Sequence, residues 1–126
     1  MVQSQVQSYK EQAIKSMTSG ELLVLLLDEA VKNLRVATMV LDNGDTKTFT
    51  SCAQRSKDIF FYLSNILDMQ YEISNDLFAI YEFVMQEIMK AVMTADKKPI
   101  EEIMPIVDDL RSTWTEANKI ATIENK

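Results

Sequence analysis

Cys52 is the chain's single thiol. A thiol attacks only as its thiolate, and that requires a base or a positive field beside it. The sequence contains no histidine. That absence removes Ser-His-Asp and Cys-His catalysis, the Glu-x-x-His ligands of di-iron bundles, the usual zinc sets and phosphotransfer through imidazole. Carboxylates remain. Glu101-Glu102 and Asp108-Asp109 are adjacent pairs, and neighbours on a helix point about 100° apart, so neither pair can share a proton or a metal; both read as solvated faces. Asp42, Asp45 and Asp58 do not follow the spacing of a calcium loop. No catalytic residue, metal site or cofactor is expected. Cys52 is expected as a small buried hydrophobe, and Trp114 as part of a core rather than a ligand platform.

With chemistry set aside, the elements that could position a binding surface come forward. The 126 residues suit one domain, and 47% are hydrophobic, enough for a folded core. Only two glycines and two prolines occur, too few for the many turns of an all-β domain. The net charge is −6, and no basic run exceeds Lys97-Lys98, which argues against nucleic acid and anionic membranes as partners. One cysteine precludes an internal disulfide, and the polar start and short apolar runs (the longest is Leu22 to Leu27) offer neither a signal peptide nor a membrane span. These readings lead us to expect a cytoplasmic protein without membrane insertion.

Residues 1–17 carry scattered apolar side chains without a full stripe and are expected to form a mobile or loosely docked arm, with residues 18–126 as a single helical domain. Thr18-Ser19-Gly20-Glu21 has the form of a capping box and predicts a helix from about Thr18 to Leu41, where Asp42-Asn43-Gly44-Asp45 signals a turn. Leu23, Leu27, Ala30, Leu34, Ala37 and Leu41 alternate in steps of four and three, the rhythm of a bundle seam. A second helix is predicted from about Lys47 to Met69, capped by Asp45 or Thr46. The third is predicted from about Asn75 to Ala95, capped by Ser74 or Asn75, with Lys97-Lys98 serving its C-terminus. Pro99 suits the first turn of a fourth helix, and Pro105 predicts a kink or break within it. Short links between long helices predict an all-α fold, an antiparallel up-down four-helix bundle.

A bundle helix needs one apolar stripe covering about three positions in seven, and these helices carry more. Leu22 to Leu27 is apolar all round; Phe61, Tyr62 and Met69 widen the second helix; Phe78, Met85, Met89 and Val92 or Met93 flank the third seam; Met104, Ile106 and Ile120 add to the fourth. The functional expectation is an outer groove for a partner's amphipathic helix, to which flexible methionine is suited. Leu22, Leu26, Tyr62, Phe78, Met85, Met89 and Val92 are the candidate partner-binding residues. A wide but ordinary core is the competing reading.

Four motifs in order resemble the flagellin export chaperones, the FliS family: Tyr9-Lys10-Glu11-Gln12-Ala13-Ile14; Thr18 to Ala30, similar to the family's T/S-P-x-E-L-L-x-M-L-Y-D-G-A; Tyr81-Glu82-Phe83-Val84; and Leu110-Arg111-Ser112-Thr113-Trp114, similar to its closing L-R-x-x-W. Ser19 replaces the usual proline. Gln86-Glu87 stands where the family carries two arginines, and Val92 where it has asparagine, so the third helix is less basic and more apolar. The resemblance implies a cytoplasmic chaperone that binds the disordered C-terminal segment of flagellin in hydrophobic grooves, blocks premature polymerisation and delivers the client to the flagellar export gate, whose components would be further partners. It also implies that the N-terminal arm, to which Tyr9 and Ile14 are assigned, covers part of that surface in the free protein. The alternative is a helical adaptor or self-associating module without a flagellin client.

Overall fold

The structure, a computed structural model, describes residues 19–124, with side chains through residue 120. The capping residue Thr18 and the arm residues Tyr9 and Ile14 lie outside that range. Four helices account for nearly all of it: α1 (Ser19–Asp42), α2 (Thr46–Asn65), α3 (Glu72–Thr94) and α4 (Lys98–Glu124). α1 packs on α2 and α4, and α3 on the same two, closing a ring. The α1–α4 pair shows the antiparallel register directly. Gly20 approaches Asn118, Asp28 faces Arg111 at 3.6 Å, Arg35 meets Asp108 at 3.1 Å, and Asp42 meets Lys97 at 2.7 Å. As one number rises the other falls, as an up-down bundle requires.

The α1 seam predicted from its apolar rhythm lies in the core from Leu27 to Ala37, and residues of the other three helices complete that core. Leu27, Ala30, Leu34 and Ala37 of α1, Phe49, Cys52, Phe60 and Leu63 of α2, Leu77, Tyr81, Val84, Ile88 and Ala91 of α3, and Ile100, Ile103 and Val107 of α4 are all buried. Ser56 keeps its place in this core because its hydroxyl donates to the Ala30 carbonyl at 2.8 Å, which offsets its desolvation.

Several boundaries differ from expectation. α2 ends at Asn65 rather than Met69, and Ile66 caps it. α3 starts three residues early, with Tyr71 at the N-cap and no side-chain cap. The cause is Asp68. Its carboxylate accepts from the Gln70 N–H, and its carbonyl accepts from the Tyr71 N–H and the Ser74 hydroxyl. This local network turns the chain where the rhythm would have continued the helix, and it occupies Ser74, which had been expected as a cap. α4 runs through Pro105 without a break. Pro105 is on the exposed face, where water can take the Glu101 carbonyl that loses its partner. Lys97 does not serve α3; its ammonium pairs with Asp42, which raises its pKa. The left-handed position after α3 is filled by Ala95 (φ 49°).

Asp45 caps α2 by accepting from the Thr48 N–H at 3.0 Å, and these bonds to Thr48 hold its carboxyl below its ordinary value. A lowered carboxyl pKa stabilises the fold above the unfolded value near 3.8 and ceases to do so as pH falls through the folded value. Asp45→Asn, an equally good cap without the charge, is expected to melt close to the parent at pH 7 and to lose less stability on acidification. Paired thermal melts at pH 7 and pH 3 check this; equal acid sensitivity in both proteins would refute it.

Among the described residues the core is closed at one end of the bundle and unfinished at the other. On α1 no described residue before Leu27 is buried, and on α4 none after Val107 is, although α4 continues beyond residue 120. The start of α1, the end of α2, the start of α3 and the last turns of α4 meet at this unfinished end.

Candidate functional site

Two hollows share that end, with Leu23, Ile66 and Trp114 as common walls. The first, about 250 Å³, has Leu63, Leu67, Leu77 and Tyr81 below and Tyr71 and Ile73 at its mouth. The second, about 470 Å³, opens between Gly20 on α1 and Ala117 and Asn118 on α4. Together they make one apolar cleft among four chain segments. Its mouth carries large side chains that nothing in the described structure covers: Ile66 is 55% exposed, Tyr71 65% and Ile73 62%. Contiguous exposed apolar surface of this kind marks an interaction site. At the floor, burial raises the Tyr81 phenol above its ordinary pKa, and a hydrogen bond with the Trp114 indole opposes this. Tyr81 therefore stays neutral at physiological pH, and its ring packs tilted against Phe60, with centroids 5.9 Å apart.

The geometry suits capture of apolar side chains. Cys52 is buried in the core, away from the cleft. Among the described residues no group of three or more acidic, cysteine or histidine side chains could hold a metal. None of the described helices is long and apolar enough to cross a membrane. Asp108, expected on a solvated face, is half-buried and pairs with Arg35 instead.

The candidate partner-binding residues do not converge on one groove. Met85 and Met89 line a shallow trough of about 410 Å³ with Gln86, Lys90, Met93 and Thr94, all from α3. Phe78 is 37% exposed and Tyr62 46%. Leu22, Leu26 and Val92 are half-buried, the last two packed against the core. None of these five lines a hollow described here. The cleft uses Leu23, Ile66, Tyr71, Ile73 and Trp114, none of which is among the partner-binding residues expected from the sequence. Trp114 is half-buried and forms a wall of both hollows, not part of the sealed interior. A signal was present: Ile66, Leu67, Met69, Tyr71 and Ile73 crowd a connection, where chains are ordinarily polar. The helix expected through Met69 concealed it.

Comparison with known proteins agrees with the architecture. The sequence model of the family described as Flagellar protein FliS matches residues 1–121. A Flagellar secretion chaperone FliS of Bacillus subtilis is 23% identical over 116 residues, covering 92% of this chain and 87% of that one. A Flagellar secretion chaperone FliS of Salmonella typhimurium is 23% identical over 117 residues, covering 90% and 87%. A solved structure described as a flagellar chaperone from bacteria superposes with a TM-score of 0.74 at 18% identity, over the whole of both chains.

Proposed function

The chain belongs to the FliS family, and from that premise we propose that it is a cytoplasmic export chaperone holding the disordered C-terminal segment of flagellin, keeping it from polymerising and presenting it to the flagellar export apparatus. The observation that carries this reading is the unfinished end of the bundle. Its cleft has an apolar floor and an uncovered apolar mouth, and an amphipathic helix laid there would complete the core. Ordering a disordered client costs conformational entropy, so tight binding requires an extended apolar contact. The Met85–Met89–Met93 trough supplies further surface along α3.

The test is a titration of full-length protein with a flagellin C-terminal peptide. Binding near 1:1 with a gain of helical circular dichroism is expected. Trp114 is the only tryptophan, so its emission should shift to the blue as the client dries the cleft. Absence of heat and of any spectral change at roughly tens of micromolar, weaker than about 7 kcal/mol of binding free energy, would overturn the reading.

The arm is part of the same proposal. Residues 1–18 join the bundle at Ser19, which itself lines the cleft. An arm carrying Tyr9 and Ile14 there lowers apparent affinity by the fraction of time it occupies the site. Deleting residues 1–15 is therefore expected to raise client affinity with the helical content of the bundle retained. Unchanged affinity would remove the arm from the mechanism.

A further inference from the structure

Away from the cleft, α1 and α4 form the sides of a groove of about 280 Å³ whose chemistry differs from the rest of the molecule. Cations gather there on a chain of net charge −6: Lys32, Arg35 and Arg111 line it, with Val36 and Met39 as its apolar part. Asp28 and Asp108 only partly satisfy the guanidinium groups. Arg35 donates to Asp108 at 3.1 and 3.4 Å through a single nitrogen and is 60% exposed. The nearest carboxylates to Arg111 are Asp28 at 3.6 Å and Asp108 at 3.8 Å, both beyond hydrogen-bond reach. Its Nε is shut off from solvent with no hydrogen-bond partner. A guanidinium has five donors and no acceptor, and its strongest partner is a carboxylate. Lys32 is exposed and has no ion pair among the described residues. Beside these cations, Met39 is 64% exposed.

We propose that the α1–α4 groove is a docking surface for an acidic amphipathic helix of a partner protein, with carboxylates meeting Lys32 and Arg111 and an apolar side chain lying on Val36 and Met39. Charge complementarity selects this occupant. The overall negative charge repels nucleic acid and anionic membranes, while the local cations favour a partner bearing carboxylates. The lining runs from Asp28 to Met39, a span of about 16 Å, or three helical turns, so an occupant of about 11 residues fits. This surface is separate from the cleft, which begins at Ser19 and Leu23 and lies at the end of the bundle.

The experiment is a displayed library of helical peptides of this length, with one face varied over Glu, Gln, Lys, Leu and Ala, selected on the full-length protein. Survivors are expected to carry at least two acidic residues flanking an apolar one, to weaken as salt is raised, and to lose about tenfold or more in affinity against Lys32→Glu and Met39→Asp. Both substitutions are at exposed positions, so the fold should hold, and the flagellin peptide should bind these variants as it binds the parent. In the selection, the proposal is overturned by no binder sensitive to Lys32→Glu, by selected peptides that are neutral or basic, or by binders displaced competitively by the flagellin peptide. Sedimentation of the free chain is the further arm. Self-association abolished by Lys32→Glu would make a second copy the occupant and overturn the acidic partner.

Discussion

Replacing Ile66 and Ile73 together by glutamate is expected to weaken flagellin-peptide binding by about a hundredfold or more while leaving the free protein folded. Both side chains are more than half exposed at the cleft mouth, 55% and 62%, so the unliganded bundle loses little by the change. On binding, each isoleucine would bury its remaining apolar surface, about 1 to 1.5 kcal/mol apiece. A glutamate in its place brings a carboxylate against the client's apolar face with no partner, a further cost of about 1 kcal/mol or more. The sum exceeds about 2.8 kcal/mol, or two decades in affinity. Calorimetry reads the affinity, and circular dichroism of the free variant verifies the fold. Met89→Glu makes the comparison decisive. Met89 belongs to the shallow trough on α3 alone, so its change should cost less than the double variant. A larger loss for Met89→Glu would move the client's principal seat from the end of the bundle to its flank.

Phe60→Ala is expected to destabilise the fold by about 3–5 kcal/mol, the range for deleting a buried aromatic ring. Phe60 is fully buried at the middle of the bundle and supports Tyr81, whose other side faces the cleft. A domain of this size has a total stability of about 5–15 kcal/mol, so the variant should melt roughly 10–25 °C lower. Denaturant unfolding measures it directly, and an unchanged m-value would show that the same surface is exposed on unfolding. A loss under about 1 kcal/mol would mean that the centre of the core is elsewhere. Because Tyr81 depends on Phe60, the variant should also bind client less tightly even where it remains folded.

The fold was legible because its seams repeat. Leu27, Ala30, Leu34 and Ala37 on α1 occupy the buried positions that their spacing implied, and Tyr81, Val84, Ile88 and Ala91 on α3 are buried at the same steps of three and four. Capping chemistry placed Asp45 correctly. The site was harder to read. Periodicity says which face of a helix turns inward, but not where along the axis the inward face runs out of partners. Leu23 lies on a regular seam and Trp114 is expected in the core, yet both reach a region where the opposing helices no longer close over them. At the α2–α3 link, Asp68 stops the helix through hydrogen bonds to Gln70, Tyr71 and Ser74. Nothing in the apolar rhythm announces such a side chain-to-backbone contact. The surplus of apolar residues was visible from composition. Its distribution between a cleft and a trough depended on tertiary packing.

The bundle whose interior is sealed at the Gly44 turn and left open at the Ser19 end has a consequence for how it responds to occupancy. Whatever settles at the open end supplies interior atoms that the described residues do not provide, so heat must remove the visitor before it can unravel the host. Loading and folding then share one equilibrium: the melting point climbs with the logarithm of free client once that concentration passes the dissociation constant. On the proposed function, a thermal scan of this protein is therefore also a gauge of how much client is bound.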